Sequence, residues 1–367
     1  MKQPSTPDPE PVRDPDPLPE RLWHAVADGD EERAVELVHG ALEAGVTEET
    51  LLLDIIAPVQ ERVGAEWAAD RISVAQEHAA TAINERVIAS LAHRRPHTRR
   101  RAPHRGRVTV GCVDGEWHAF PARLVAETLR LRGWRVDYLG AQTPTPHLVA
   151  HLHRTDPAAV LLSGSIPTHL PTAHAAITAC QAIGIPVLAG GRAFGPDGRY
   201  ARALGADEHA PDARGAAAVL EAGLPRPRPA AIRQASEDLP HLADQEYTMV
   251  VQTRPQLVKQ TLADLEARFP AMRGYDDAQR ERTAEDLAHI VDFLGTALYL
   301  DDPEVFTGFL TWTAGILAAR NVPAHSLVTG LDVLSGLLRD FPRTVGMLRA
   351  GTAALGSRPF TGPDTRA

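Results

Sequence analysis

The chain has 367 residues, 44% of them hydrophobic and 23% charged; at roughly 100–200 residues per domain this predicts two or three globular domains and excludes a peptide or a disulfide-stapled mini-protein. Two cysteines, Cys112 and Cys180, cannot build a disulfide framework, and no apolar run approaches the roughly 18 residues of a membrane span, so a soluble protein of the reducing cytoplasm, with no membrane partner, is expected. A formal net charge of −9 argues against direct nucleic-acid binding through a bulk field, and Lys2 and Lys259, the two lysines, come after no Gly-rich turn, which excludes a P-loop and argues against a lysine Schiff base.

Residues 1–18 are rich in proline and acidic groups, a composition that cannot bury a core, and read as a disordered tail without a secretory signal. Residues 19–93 then read as four helices with short connections, an antiparallel four-helix bundle: Thr47 and Ser73, the latter with Gln76 three residues on, have the pattern of N-terminal caps, and Gly45 that of a stop. Residues 94–106 form an Arg- and Pro-rich linker, a solvated tether in the simplest reading and a phosphate-binding patch in the other. Over 107–224 the periodicity changes. VTVGCVD, WRVDYLG, AVLLSGS and IPVLAGG are β-rich runs alternating with helical stretches, which predicts a parallel, Rossmann-like α/β domain with ligands bound outside the carboxyl ends of its strands. A second linker, 225–244, leads to residues 245–355, which read as five helices without a strand, and to a tail at 356–367. In that helical domain Asp302 before Pro303 has the form of a cap, Asn321 before Pro323 that of a stop, and Phe293, Phe306, Phe309 and Trp312 fall on an apolar face that is read as core packing rather than a ligand pocket.

The first strand lacks a G-x-G-x-x-G run after it, so a nicotinamide or flavin site has no support there. In its place stands Glu116-Trp117-His118, an imidazole at a strand end with a carboxylate two residues earlier. A neutral imidazole suits a transition metal, and a neighbouring carboxylate fixes its tautomer and raises its basicity. Taken alone, a loop histidine is more often solvated or structural.

Further motifs change that balance. The region resembles the cobalamin (B12)-binding domain family with its helical cap, as in methionine synthase, corrinoid carrier proteins and CarH-type photoreceptors. The family's first loop reads D-x-H-x-x-G; Glu116, His118 and Pro121 stand in those places, so Glu replaces Asp and Pro replaces Gly. Later markers come in the family's order: Leu139, Gly140 and Pro144 in YLGAQTP, Ser163 and Ser165 in LLSGS, and Gly190-Gly191 in LAGGRAF. In the bundle, Gly64, Trp67, Ile72-Ser73-Val74 and Glu77-His78 resemble the family's G-x-x-W and I-S-V-x-x-E-H run. The resemblance spans residues 19–224.

The resemblance implies that His118 is the lower axial ligand of cobalt, with Glu116 hydrogen-bonded to it and Trp117, Ala119 and Phe120 beside the cofactor. It implies that the nucleotide tail lies along Leu139, Gly140, Ser163, Ser165, Gly190 and Gly191, small residues that leave room for it, and that Trp67, Val74, Glu77 and His78 face the upper ligand. The leading expectation is a light-responsive adenosylcobalamin photoreceptor rather than an enzyme, signalling through its C-terminal helical domain to a protein partner or by self-association. The alternatives are a corrinoid methyl carrier serving a methyltransferase, and a bilin-type tetrapyrrole photoreceptor using the same pocket. Two departures bear on this: the helix-turn-helix module that precedes the bundle in CarH is not expected in the short tail here, and the histidine that comes directly after the capping Trp in CarH is Ala68. The C-terminal helices resemble globin-like sensor modules only loosely.

Overall fold

The computed structural model describes residues 16–95, 105–227, 244–268, 270–320, 322 and 325–356. The expectations for residues 1–15, for the centres of both linkers, for the end of the chain and for Asn321 and Pro323 lie outside them. The described residues fall into two compact units: one holds the chain up to Ala65 together with Ser73–Arg95, and the other holds Glu66–Ile72 and the chain from 105 onward.

The first unit is helical. Helices α1 (Leu18–Ala27), α2 (Glu31–Glu43), α3 (Glu48–Thr50), α4 (Ala57–Ala68), whose end from Glu66 groups with the second unit, and α5 (Val74–Arg94) come in order, with a π-helical stretch, Leu51–Ile56, joining α3 to α4. The caps are made as the sequence predicts: Thr47 accepts the Thr50 N–H, and Ser73 and Gln76 cap one another reciprocally. Leu22, Val38, Leu52, Ile56, Val63 and Ile88 form its core. Arg94 is the last residue of α5 and pairs with Glu43, and Arg95 pairs with the buried Glu48 at 2.5 Å, so the first two arginines of the stretch read as linker are tied into this unit.

The second unit contains a sheet of β1 (Arg107–Cys112), β2 (Arg135–Gly140), β3 (Ala159–Ser163), β4 (Val187–Gly190) and β5 (Glu208–Ala210), in the order β2-β1-β3-β4-β5 and parallel throughout. The chain reverses its winding between β1 and β3, the place where ligands of such sheets bind. Helices α6 (Phe120–Leu131), α7 (Thr145–Thr155), α8 (Leu170–Ala182), α9 (Arg199–Ala203) and α10 (Ala213–Ala222) cross over between strands or close the domain. The register sets Cys112 beside Ser163, Ser163 beside Gly190, Gly190 beside Ala210, and Gly111 beside Gly140. The carboxyl edge is therefore a row of small residues.

Beyond the sheet the described residues form six α-helices rather than five: α11 (Glu246–Gln252), α12 (Arg254–Arg268), α13 (Asp277–Leu300), α14 (Pro303–Ala319), α15 (His325–Leu337) and α16 (Pro342–Gly356). The extra break falls at Thr253, just before Pro255, which fits the first turn of a new helix but not the interior of an old one. Asp302 caps α14 through the Glu304 N–H, as expected. Phe306 is fully buried and Phe293 stacks on Phe309 at 3.9 Å with nearly parallel rings, which is core packing. These helices do not form a separate body: Leu170, Ala173 and Ile177 of α8 share one apolar core with Leu294, Ala297 and Leu298 of α13. The joint is polar as well as apolar, with His174 Nδ1 hydrogen-bonded to the Tyr299 hydroxyl at 2.6 Å, Tyr200 donating to Asp302 at 2.9 Å, and Arg199 paired with Glu304 at 2.6 Å.

Candidate functional site

Glu116 is the hub of the carboxyl edge. Its side chain is 1% exposed, and each carboxylate oxygen accepts two hydrogen bonds: Oε1 from the His118 N–H at 2.9 Å and from His118 Nδ1 at 2.6 Å, Oε2 from the Ser165 and Ile166 N–H groups at 2.7 and 3.0 Å. Its own carbonyl accepts from the Gln142 N–H at 3.1 Å, so the loops after β1, β2 and β3 meet at this one residue. Burial alone would push the Glu116 carboxyl up, but the four hydrogen bonds, that of the His118 ring foremost, outweigh it and hold the group down at about 2. It is a carboxylate throughout the physiological range.

That charge decides the state of His118. With Nδ1–H donated to Glu116, the neutral ring carries its lone pair on Nε2, and the imidazole is 57% exposed at the end of the sheet. Among the described residues no group of three or more His, Cys, Asp or Glu side chains is placed to hold a metal ion. A single oriented imidazole fits a metal whose remaining positions are filled by a chelator of its own, as a corrin does. Trp117, next to it, is 71% exposed, an apolar surface that a flat ligand would cover. Ala119 caps α6 through its position and accepts from the Tyr138 hydroxyl at 3.2 Å, while Phe120 is buried at the start of that helix. Pro121 stands in the first turn of α6, where no N–H is needed and its fixed φ suits the helix, so the exchange of Gly for Pro is accommodated locally.

Leu139 lies against Gly111, and Gly140 has a positive φ with open space at its Cβ position. Ser163 is buried and its carbonyl accepts from Val113, while Ser165 contributes its backbone to Glu116. Gly190 and Gly191 are required as glycines: a Cβ on Gly190 would stand 2.9 Å from the Ala210 carbonyl oxygen, and one on Gly191, at φ +97°, 2.4 Å from that of Gly164. Gly191→Ala is therefore expected to lower stability by roughly 2–4 kcal/mol, read as a fall in Tm, because both the backbone conformation and the contact are forbidden.

In the first unit Glu77 is anchored by a chain of hydrogen bonds: Thr81 donates to Glu77, Gln60 to Thr81, and the buried Asn84 to Gln60, at 2.9, 2.7 and 2.8 Å. His78 Nδ1 pairs with the same Glu77 at 2.5 Å, and Val74 is exposed. Trp67 groups with the second unit and its ring lies 6.4 Å from that of Trp312. Sequence reasoning missed Gly111, Gln142, Ile166 and His169; the last packs its ring 3.1 Å from where a Gly115 Cβ would stand. Gln142 and Ile166 act through their backbones, so no side-chain motif announces them.

Two family models match the chain, both described as a B12 binding domain, over residues 18–92 and 106–220. A trimethylamine corrinoid protein of Methanosarcina barkeri is 24% identical over 204 residues, which is 54% of this chain and 93% of that protein. Among solved structures, the monomethylamine corrinoid protein of Methanosarcina barkeri is 20% identical and covers 55% of this chain and 96% of its own, with a TM-score of 0.46. A cobalamin-binding protein from Desulfitobacterium hafniense is also 20% identical, covering 56% and 98%, with a TM-score of 0.31. With a helical domain and an α/β domain matched in succession, the chain belongs to the cobalamin-binding domain family and binds cobalamin.

Proposed function

We propose that this protein is a corrinoid methyl carrier serving a methyltransferase. The observation that carries this reading is the match, at 24% identity, over 93% of the length of a trimethylamine corrinoid protein. The light-responsive reading has less behind it, because Ala68 offers no ligand where CarH-type photoreceptors have histidine. The B12 binding domain models favour a corrinoid over the bilin alternative, and a methyltransferase takes the place of a signalling protein as the proposed partner.

When bound, the corrinoid supplies a cobalt centre able to take up and give up a methyl group. The chain does the rest by binding and orientation. His118 would hold the metal through Nε2, Glu116 fixes that tautomer and makes the ring more basic, and Ser165 and Ile166 fix Glu116. Gly140, Ser163, Gly190 and Gly191 leave the carboxyl edge free of bulk where a nucleotide tail would lie. By the family resemblance, Trp67 is the residue assigned to the upper face of the corrin. The chain is a carrier and contributes no catalytic group. A carrier keeps its cofactor through a full cycle of methylation by a small methyl donor and demethylation by a thiol, read in the visible spectrum, and illumination of its adenosylcobalamin form leaves the association state unchanged. A light-driven change in association state without methyl turnover would reverse the choice between the two readings.

A further inference from the structure

The segment Glu66–Ile72, at the end of α4, is held by the distant helix α14. Trp67 and Trp312 lie 6.4 Å apart between ring centroids at an angle of 38°, and the Arg320 guanidinium is 5.5 Å from the Trp67 ring. Arg320 also reaches the Asp70 carboxylate with Nε and the Trp67 carbonyl with Nη2, each at 3.5 Å. All four residues belong to the second unit.

Trp312 is out of place for a core residue. On the same helix Phe306 is buried and Phe309 is stacked on Phe293, whereas Trp312 is 52% exposed and meets Trp67. A large indole kept at a surface, beside an arginine that bonds the same segment twice, has the composition of a binding hot spot, in which aromatic contact supplies the attraction and the arginine sets the register.

We propose that Trp312 and Arg320 form a docking surface for the Trp67 indole, and that this surface competes with the upper face of the bound cobalamin for the same side chain. The proposal rests on the reading of Trp67 as the residue that covers the cofactor. Docked on Trp312, Trp67 leaves the upper face open to a partner protein; released, it covers a bulky upper group. The C-terminal helices then set how often the cobalt is presented, since a ligand that needs Trp67 binds with an apparent affinity reduced by the fraction of molecules in which Trp67 is docked.

The test uses the full chain and two cofactors, adenosylcobalamin with a bulky upper group and hydroxocobalamin without one. Because Trp312 is half exposed, Trp312→Ala is expected to fold normally and to raise the affinity for adenosylcobalamin about three- to tenfold relative to hydroxocobalamin, with Arg320→Ala acting in the same direction by a smaller factor. Trp67→Ala should lower that preference, and in the double variant the Trp312→Ala gain should vanish. If Trp67→Ala leaves the preference unchanged, the covering role of Trp67 is wrong. If Trp67→Ala shifts the preference while Trp312→Ala does not, or shifts it the opposite way, the docking surface is wrong.

Discussion

His118→Ala is expected to bind hydroxocobalamin at least about a hundredfold more weakly than the parent and to lose every spectral feature of histidine ligation. The fold should survive. The imidazole is more than half exposed, so its removal leaves no cavity in a core, and three of the four hydrogen bonds to Glu116 come from the backbone N–H groups of His118, Ser165 and Ile166, which the substitution leaves in place. Spectral titration with an unchanged Tm would separate this outcome from simple unfolding. Retention of parental affinity and spectrum would show that the metal is held elsewhere.

Glu116→Gln is expected to be the more damaging change to the protein itself. Both oxygens of the buried carboxylate accept two N–H groups, and the amide of glutamine must turn its NH2 toward one of those pairs. A donor then faces donors in a buried site, which costs roughly 2–4 kcal/mol. His118 would also lose the charge that places its proton on Nδ1, so cobalamin affinity should fall about 10–100-fold even where the variant remains folded. Glu116→Asp keeps the charge and should retain binding that Glu116→Gln loses; Tm and affinity measured on both variants check the two effects. Equal affinities for Glu116→Gln and the parent would mean that His118 is oriented by something other than this carboxylate.

The parts of the molecule legible in the sequence were those written in side chains. Four strands announced themselves through β-branched runs, and the caps at Thr47, Ser73 and Asp302 through hydroxyl or carboxylate residues at helix starts. The strand Glu208–Ala210 did not, because its three residues, Glu, His and Ala, have little strand preference and are set by pairing with β4. The π-helical turn at Leu51–Ile56 was likewise silent, since it changes the backbone path without a distinctive residue type. At the site, Glu116 and His118 were visible as a pair, but the backbone donors of Ser165 and Ile166 that make Glu116 a hub could not be seen before the loop was folded. The largest difference concerns residues 244–356. Amphipathic patterning shows that a helix buries a face but not what covers it, so a domain expected to stand apart proves to share its core with α8.

Cobalt ligation through His118 is tested most directly by electron paramagnetic resonance of the protein loaded with cob(II)alamin, in which a nitrogen bound along the axis splits the cobalt lines. Incorporation of 15N-histidine should convert each triplet to a doublet, and His118→Ala should abolish the conversion. A triplet that persists in the 15N-histidine protein would mean that the axial nitrogen is the cofactor's own benzimidazole, and would contradict the assignment of His118.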